Sequence, residues 1–276
     1  MNNLTKRTIS GIAFVIVFVG CILLGRSTFF CLFLIITALA LDEYNKLVNK
    51  HGLANINSTV NTIAGIYLFF ATSFLLQGAV GPRIFLPHVL SLLYLMISEL
   101  YLKQSHPVAN WIYAFGGQIY VALPLALTNL LAYYGGSGYS PILPLAVFVF
   151  IWINDTGAYC VGSLLHKRFP TKLFERISPK KTWIGSIGGA FFVLLGAYLI
   201  SLMSDMLPVI HWMGLGLTVC IFGTWGDLVE SLFKRTLEIK DSGHFLPGHG
   251  GVLDRFDSAL IAIPASVIYI YAIASL

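Results

Sequence analysis

The sequence contains 276 residues, of which 57% are hydrophobic and only 11% are charged. Soluble domains average about 25% charged residues, and a chain with far fewer charges cannot cover a water-facing surface of this size. Together with a mean hydropathy of +0.81, the composition excludes a water-soluble globule and indicates an integral membrane protein.

The first long apolar stretch runs from Ser10 to Leu41, and its single charge is Arg26 beside Gly25. It is too long for one crossing of about 20 residues, so it predicts a tight hairpin of two spans, the first of them uncleaved. Further spans are predicted approximately over residues 59–77, 85–102, 110–134, 141–165, 182–203, 209–233 and 258–275. The expected fold class is therefore an all-α integral membrane protein, a polytopic bundle of about nine transmembrane helices.

The basic residues indicate how these spans are oriented. If nine spans alternate across the bilayer, the loops on one side hold all but two of the 17 basic residues, and Arg26 and Arg83 lie on the other side. Because Lys and Arg collect in cytoplasmic loops, this split predicts a cytoplasmic N-terminus. It also accounts for the net charge of +5 without nucleic acid as a partner.

The carboxylates are distributed differently along the chain. Asp42, Glu43 and Glu99 precede residue 150, whereas the other nine of the 12 acidic residues follow it. We therefore expect residues 1–140 to be N-terminal scaffold spans and residues 141–276 to be a catalytic region with cytoplasmic loops at 166–181 and 234–257, all within one membrane domain.

A polar stripe ends the span that precedes residue 234. On a helix, Asp227, Glu230, Ser231 and Lys234 share one face because they are spaced i, i+3, i+4 and i+7. Such charges at the end of an apolar span suit a functional site, but an interhelical ion pair of Asp227 or Glu230, or simple snorkelling of Lys234, would also explain them.

The segment that follows combines glycines, bases and acids. Glycines at 243, 248, 250 and 251 allow a backbone to approach phosphate oxygens closely. Lys240, His249 and Arg255 would donate hydrogen bonds to phosphate oxygens. Taken alone, His249 is equally compatible with a packing or capping role. The carboxylates of Asp241, Asp254 and Asp257 are hard ligands that suit Mg²⁺ carried by a phosphate-rich substrate.

A second polar element lies upstream, in the sixth predicted span. Asp155, Tyr159 and Gly162 share a helix face there, and Asp155 lies about 16 Å along the helix from the loop that begins at His166. An ionisable group so deep in a span is a functional-site hypothesis, with a hydrogen-bonded structural role as the alternative. After that loop, a run of small residues from Gly185 to Gly189 predicts a close helix–helix contact beside Lys180 and Lys181.

The motifs together resemble those of one known family, phosphatidate cytidylyltransferase, also called CDP-diacylglycerol synthase. The likeness covers about residues 150–260 in motif and the whole chain in hydropathy. Its upstream elements are the segments at 155–159 and 178–182. The signature residues are Ser231, Lys234, Arg235, Lys240, Asp241, Pro247, His249, Gly250, Gly251, Asp254, Arg255 and Asp257.

This resemblance implies a nucleotidyltransferase that converts CTP and phosphatidate into CDP-diacylglycerol and pyrophosphate with Mg²⁺. Asp227, Asp254 and Asp257 are assigned to the metal. Catalytic roles are assigned to Lys234, Arg235, Lys240, Asp241 and Arg255. Substrate binding is assigned to Asp155, Tyr159, Ser178, Lys181, Thr182, Ser231, His249, Gly250 and Gly251.

The same resemblance sets expectations about partners and place. CTP and phosphatidate are the expected partners, the active site is expected on the cytoplasmic face of a multi-pass protein of the cell (inner) membrane, and Asp155 leaves room for a second, monovalent ion. Small-residue helix faces permit a homodimer.

Three other functions stay open at this point. A CTP-dependent polyprenol or lipid kinase and an ether-lipid cytidylyltransferase would use similar surroundings on another lipid. A secondary transporter with ion-coupling aspartates is the third, but it calls for matching halves, whereas the carboxylates lie mostly in one half.

Overall fold

The computed structural model describes residues 3–136, 138–243 and 250–274, with side chains from Thr8 onward. The described residues form ten α-helices and one short β-hairpin. The helices are α1 Asn3–Leu23, α2 Arg26–Lys50, α3 Ser58–Leu76, α4 Leu86–Leu102, α5 Pro107–Gly117, α6 Leu123–Ala132, α7 Ile142–Leu165, α8 Trp183–Ser201, α9 Val209–Thr236 and α10 Leu253–Ala274. The strands are β1 Lys172–Phe174 and β2 Ser178–Thr182.

The predicted all-α membrane fold is confirmed. Eight helical segments are long and apolar enough to cross a membrane, and α1 adds a shorter apolar helix over Thr8–Leu23. Helices α5 and α6 count as one segment because a single π-helical stretch, Gln118–Ala122, joins them. The chain is therefore a multi-pass membrane protein with the helix pattern that its hydropathy predicts.

The predicted hairpin within residues 10–41 is present. Helix α1 ends at Leu23 and α2 begins at Arg26, leaving Leu24 and Gly25 as the turn. Gly25 has a φ of +130°, a backbone conformation that L side chains rarely adopt. A glycine at this position is what lets the chain reverse within two residues.

The chain divides into two compact units. Unit 1 comprises residues 1–141 and 240–256, and unit 2 comprises residues 142–239 and 257–276. The segment 240–256, which the sequence groups with the C-terminal half, thus belongs structurally with the N-terminal spans. The assignment of scaffold and catalytic roles to the two halves stays a prediction.

Unit 1 is held together by buried aromatic rings and by a network of amide side chains. Phe33 and Phe69 are fully buried and stack with their ring centroids 6.4 Å apart. Asn61 Nδ2 donates to Asn45 Oδ1 at 2.8 Å, and Asn61 Oδ1 accepts from Gln118 Nε2 at 2.8 Å. Buried amides paired in this way join α2, α3 and the π-helical stretch.

Unit 2 depends on glycines for the packing of α7 against α8. A Cβ atom at Gly188 would lie 2.5 Å from Val161, and one at Gly189 would lie 2.5 Å from Asn154 Oδ1. Neither distance leaves room for a side chain, so the backbones of the two helices approach each other as the small-residue run predicts.

The predicted loop at 166–181 contains the hairpin of β1 and β2. The two strands are antiparallel, with Lys172 opposite Thr182 and Phe174 opposite Ser178. Helix α8 begins immediately after β2, and Thr182 caps it by accepting a hydrogen bond from Gly185 N at 3.2 Å. The hairpin thus fixes Lys180 and Lys181 to the start of a helix rather than leaving them in a long loop.

Candidate active site

Three charged residues that are distant in sequence meet in unit 2. Asp155 lies on α7, Lys181 on β2 and Asp227 on α9. Lys181 Nζ is 2.6 Å from Asp227 Oδ2, and both side chains are about 30% exposed, at 27% and 30%. Asp155 interacts electrostatically with both of them. The sequence names each residue, and the fold brings them together.

These residues line a cavity of about 490 Å³. Tyr159 and Gly162 also line it, in agreement with the predicted helix face, and Thr182 of β2 is a further wall. The cavity is also lined by side chains that were not predicted as site residues: Asn154, His166, Lys172, Lys180 and Thr224. His166, Lys172 and Lys180 come from the segment 166–181, where a high density of bases was the available signal.

Asn154 fixes the position of its neighbour Asp155. It is 4% exposed, its Nδ2 donates to Thr224 Oγ1 at 3.3 Å, and its Oδ1 accepts from Cys220 Sγ at 3.0 Å. Both partners lie on α9, so Asn154 ties α7 to α9 next to the charged residues. A buried amide that is hydrogen-bonded through both its nitrogen and its oxygen links the two helices without placing a charge in the span.

The polar stripe on α9 is confirmed as a helix face, but its members pair with each other. Ser231 Oγ donates to Asp227 Oδ1 at 3.1 Å, and Lys234 Nζ lies 2.6 Å from Glu230 Oε2. Glu230 is only 2% exposed and precedes Lys234 by four residues, which is the favourable order for an ion pair on a helix. Lys234 therefore has a carboxylate partner in the structure, and its role toward phosphate stays a prediction.

The ends of two helices carry charges that the sequence placed in a loop. Helix α9 continues through Thr236, so Lys234 and Arg235 lie in its last turn. Helix α10 begins at Leu253, so Asp254 lies in its first turn. Bases in the last turn and an acid in the first turn of a helix interact favourably with the helix dipole, so these charges stabilise the helix ends slightly.

Asp257 approaches the charged cluster from α10. A Cβ atom at Gly226 would lie 2.6 Å from the backbone oxygen of Asp257, so α9 and α10 are in close contact at this point. Asp257 interacts electrostatically with Asp227, Asp155 and Lys234. Three carboxylates and two ammonium groups of unit 2 thus share one electrostatic environment.

The signature segment of unit 1 is built around Asp254. Its Oδ2 accepts hydrogen bonds from Ser242 N at 2.9 Å and from Gly251 N at 2.8 Å. Gly250 has a φ of +80°, and a Cβ there would lie 2.4 Å from the same oxygen. The glycine pair at 250 and 251 thus lets the backbone wrap closely around a carboxylate, and a metal role for Asp254 stays a prediction.

The remaining predicted residues occupy varied positions. Ser178 is half-buried at the start of β2, and Tyr159 is 76% exposed. His249 lies outside the described residues. Exposed positions are occupied by Arg235, Lys240, Asp241 and Arg255.

The described residues contain no group of three or more His, Cys, Asp or Glu side chains arranged to hold a metal by themselves. Mg²⁺ does not require such a group, because it commonly binds through one or two carboxylates together with substrate phosphates and water. Asp227 and Asp257, which interact electrostatically, provide that kind of oxygen donor set. The residues present therefore fit Mg²⁺ that arrives with a nucleotide.

The Cytidylyltransferase family model matches residues 5–273, which include every element described above except the last residue of α10 and the first two of α1. This chain belongs to the cytidylyltransferase family. Membership confirms the resemblance seen in the motifs and the prediction of a nucleotidyltransferase enzyme.

Several members of the cytidylyltransferase family are similar to this chain. A phosphatidate cytidylyltransferase from Staphylococcus haemolyticus is 30% identical over 94% of this chain and 95% of its own length. The phosphatidate cytidylyltransferase of Bacillus subtilis is 48% identical over 42% of each chain. That of Staphylococcus aureus strain COL is 46% identical over 44% of this chain and 45% of its own.

Proposed function

We propose that this protein is a phosphatidate cytidylyltransferase, which forms CDP-diacylglycerol and pyrophosphate from CTP and phosphatidate. The observation that carries the proposal is the charged cavity of unit 2, where Lys181 lies against Asp227 and near Asp155. Relatives named for this activity support it, including one aligned over 95% of its length.

The chemistry requires positioning and charge neutralisation more than a general base. A phosphate oxygen of phosphatidate, which already carries negative charge, attacks the α-phosphorus of CTP. A new P–O bond forms, the bond from the α-phosphorus to the bridging oxygen of the β-phosphate breaks, and pyrophosphate leaves with that electron pair. Because both reactants are polyanions, cations at the site determine whether they can approach in line.

We assign the cavity of unit 2 to the phosphate head group of phosphatidate. Lys181 would contact it directly, and the neighbouring cations Lys172 and Lys180 would attract it from the cavity walls. The highly exposed Tyr159 side chain would pack against the acyl chains. Asp155 would repel a misplaced phosphate or hold a monovalent ion.

We assign Mg²⁺ to Asp227 and Asp257, with Asp254 kept as a further candidate ligand. When bound, the ion supplies positive charge that offsets the charge developing on the triphosphate. The exposed cations Arg235, Lys240 and Arg255 would bind the remaining phosphate oxygens, and Gly250 and Gly251 would give their backbone access.

The same proposal includes a side of the membrane. CTP is a cytosolic molecule, and the basic residues that bind it belong to the majority assigned to the cytoplasmic face by the charge distribution. The bacterial relatives suit a location in the cell membrane. A homodimer stays a prediction.

The test uses purified protein in lipid nanodiscs with phosphatidate and CTP labelled on the α- or the γ-phosphate. We expect α-label to enter the lipid, pyrophosphate to be released, and EDTA to abolish both until Mg²⁺ is restored. Transfer of γ-label with release of CDP would instead identify a lipid kinase, and the absence of any labelled lipid would reject the proposal.

Asp227→Asn tests the metal assignment within the same assay. It removes the negative charge without changing shape, so we expect turnover to fall on the order of 10²–10³-fold. The matched control is Asp205→Asn, since Asp205 is an exposed carboxylate between α8 and α9 of the same unit. Near-normal turnover in Asp227→Asn, with Asp205→Asn also normal, would show that the metal is held elsewhere.

A further inference from the structure

Glu43 on α2 is bound to the signature segment of unit 1, about 200 residues further along the chain. Its Oε1 accepts hydrogen bonds from Ser242 Oγ and, at 3.1 Å, from Leu253 N. Its Oε2 accepts from Val252 N at 2.8 Å. One carboxylate from the predicted scaffold therefore holds residues on both sides of positions 244–249, which lie outside the described residues.

Gly243 and Gly251 lie directly against the Glu43 carboxylate. A Cβ atom at Gly243 would lie 2.7 Å from Glu43 Oε2, and one at Gly251 would lie 2.1 Å from Glu43 Oε1. Real Cβ atoms essentially never approach an oxygen so closely, so a larger residue at either position would displace Glu43. The absence of side chains at 243 and 251 is therefore explained by the space that Glu43 occupies, and not only by access for a ligand.

Glu43 and Asp254 both accept hydrogen bonds from Ser242 and from backbone amides of residues 251–253. Asp254 Oδ2 accepts from Ser242 N and Gly251 N, while Glu43 takes the Ser242 hydroxyl and the next two amides, those of Val252 and Leu253. Hydrogen bonds to ionised carboxylates are about twice as strong as neutral ones. The start of α10 is therefore fixed by a residue of α2 that lies about 200 positions away in the sequence.

Its neighbour Asp42 behaves quite differently. Asp42 pairs with Lys46 one turn along the same helix, with side chains 42% and 71% exposed. That local pair would form in an isolated helix, whereas Glu43 accepts its hydrogen bonds from Ser242, Val252 and Leu253, about 200 residues away. Of these adjacent acids, Glu43 is the one directed at the signature segment.

We infer that Glu43 is a positioning residue that holds Ser242 and the backbone of residues 251–253 in place for the binding of CTP. The inference rests on the proposed function, in which Gly250, Gly251 and Arg255 bind the triphosphate. A segment that is already ordered binds a ligand without the entropic cost of ordering it, so Glu43 contributes to CTP affinity through the backbone that it fixes.

The experiment compares Glu43→Gln with Asp42→Asn, which is the same change of charge one residue away. Amide hydrogen exchange is measured on the peptide covering 250–256 without substrate, and KM values for CTP and phosphatidate are measured separately. In Glu43→Gln we expect exchange at 252 and 253 to accelerate about tenfold or more and KM for CTP to rise similarly, with KM for phosphatidate within about twofold. Asp42→Asn leaves all three values unchanged.

Ser242→Ala provides a second, milder test because it removes one hydroxyl donor and leaves the carboxylate in place. It should accelerate exchange at the same peptide and raise KM for CTP by a smaller factor than Glu43→Gln. Unchanged exchange in both variants would overturn the inference whatever the substrate proves to be, because this readout needs no activity. Accelerated exchange with an unchanged KM for CTP would also overturn it, leaving Glu43 with a purely structural role.

Discussion

The two units solve the problem of polar groups among apolar helices in opposite ways. In unit 1, the fully buried Asn45 and Asn61 pair with each other and with Gln118, and these amides carry no charge. In unit 2, Asp155, Lys181 and Asp227 are ionisable, unequal in sign and open to a cavity. Neutral groups that pair with each other hold helices together, whereas charges that face a cavity are available to a ligand.

The strongest challenge to this comparison is Lys181→Met, which removes the cation paired with Asp227 in the cavity and keeps most of the length of the side chain. We expect kcat/KM for phosphatidate to fall on the order of 10²-fold, because a charge-assisted contact to phosphate is lost. Lys180→Met is the matched control, since Lys180 lies on the same strand and is exposed. An equal fall in kcat/KM in both variants would mean that Lys181 makes no specific contact with the phosphate and that the cavity attracts it only by its overall positive charge.

The amide network should respond in stability and not in substrate binding. Asn61→Ala leaves the buried Asn45 Oδ1 without its donor and removes one of the two acceptors of Gln118 Nε2, which keeps the Asn61 backbone oxygen. We therefore expect it to lower the free energy of unfolding by about 3 kcal/mol. The midpoint of thermal unfolding in detergent measures this, with Ser91→Ala as a control for an exposed intrahelical hydrogen bond. A rise in KM for either substrate with an unchanged unfolding midpoint would contradict the comparison, because the amide network of unit 1 would then act on substrate binding, as the cavity of unit 2 is proposed to do.

A smaller effect is expected where α7 and α8 meet. Gly189→Ala places a methyl group 2.5 Å from Asn154 Oδ1, so the helices must separate slightly, at a cost of about 2 kcal/mol. Gly20→Ala is the control because a Cβ at Gly20 meets nothing within 4 Å. Since Asn154 precedes Asp155, we also expect a moderate rise in KM for phosphatidate, and a stability loss without that rise would separate packing from the cavity.

Local sequence signals account for much of what the structure contains. Hydropathy predicts the helices because each must be apolar along most of its length, and Gly25 predicts the first reversal because of its backbone freedom. The stripe of Asp227 and Ser231 follows from the helical repeat alone. Even the close approach of α7 to α8 can be read from the glycines of one helix.

Contacts between distant segments could not be predicted in the same way. No periodicity links Glu43 to Ser242, and nothing in the sequence distinguishes Glu43 from the adjacent Asp42 at the end of the same apolar span. The buried pair of Glu230 and Lys234 was visible as a spacing, but whether Lys234 faces its neighbour or a ligand depends on side-chain packing. Sequence patterns name residues with chemical potential, and the fold decides which of them are already engaged.

The length of α1 bears on the lipid environment of the enzyme. Helix α1 has 21 residues, which at about 1.5 Å per residue cover about 32 Å, close to the thickness of about 30 Å of a hydrocarbon core. Hydrophobic mismatch costs only fractions of a kcal/mol per ångström. Bilayers of ordinary thickness should therefore suit this helix, whereas much thinner or thicker ones would tilt it or deform the lipid around it.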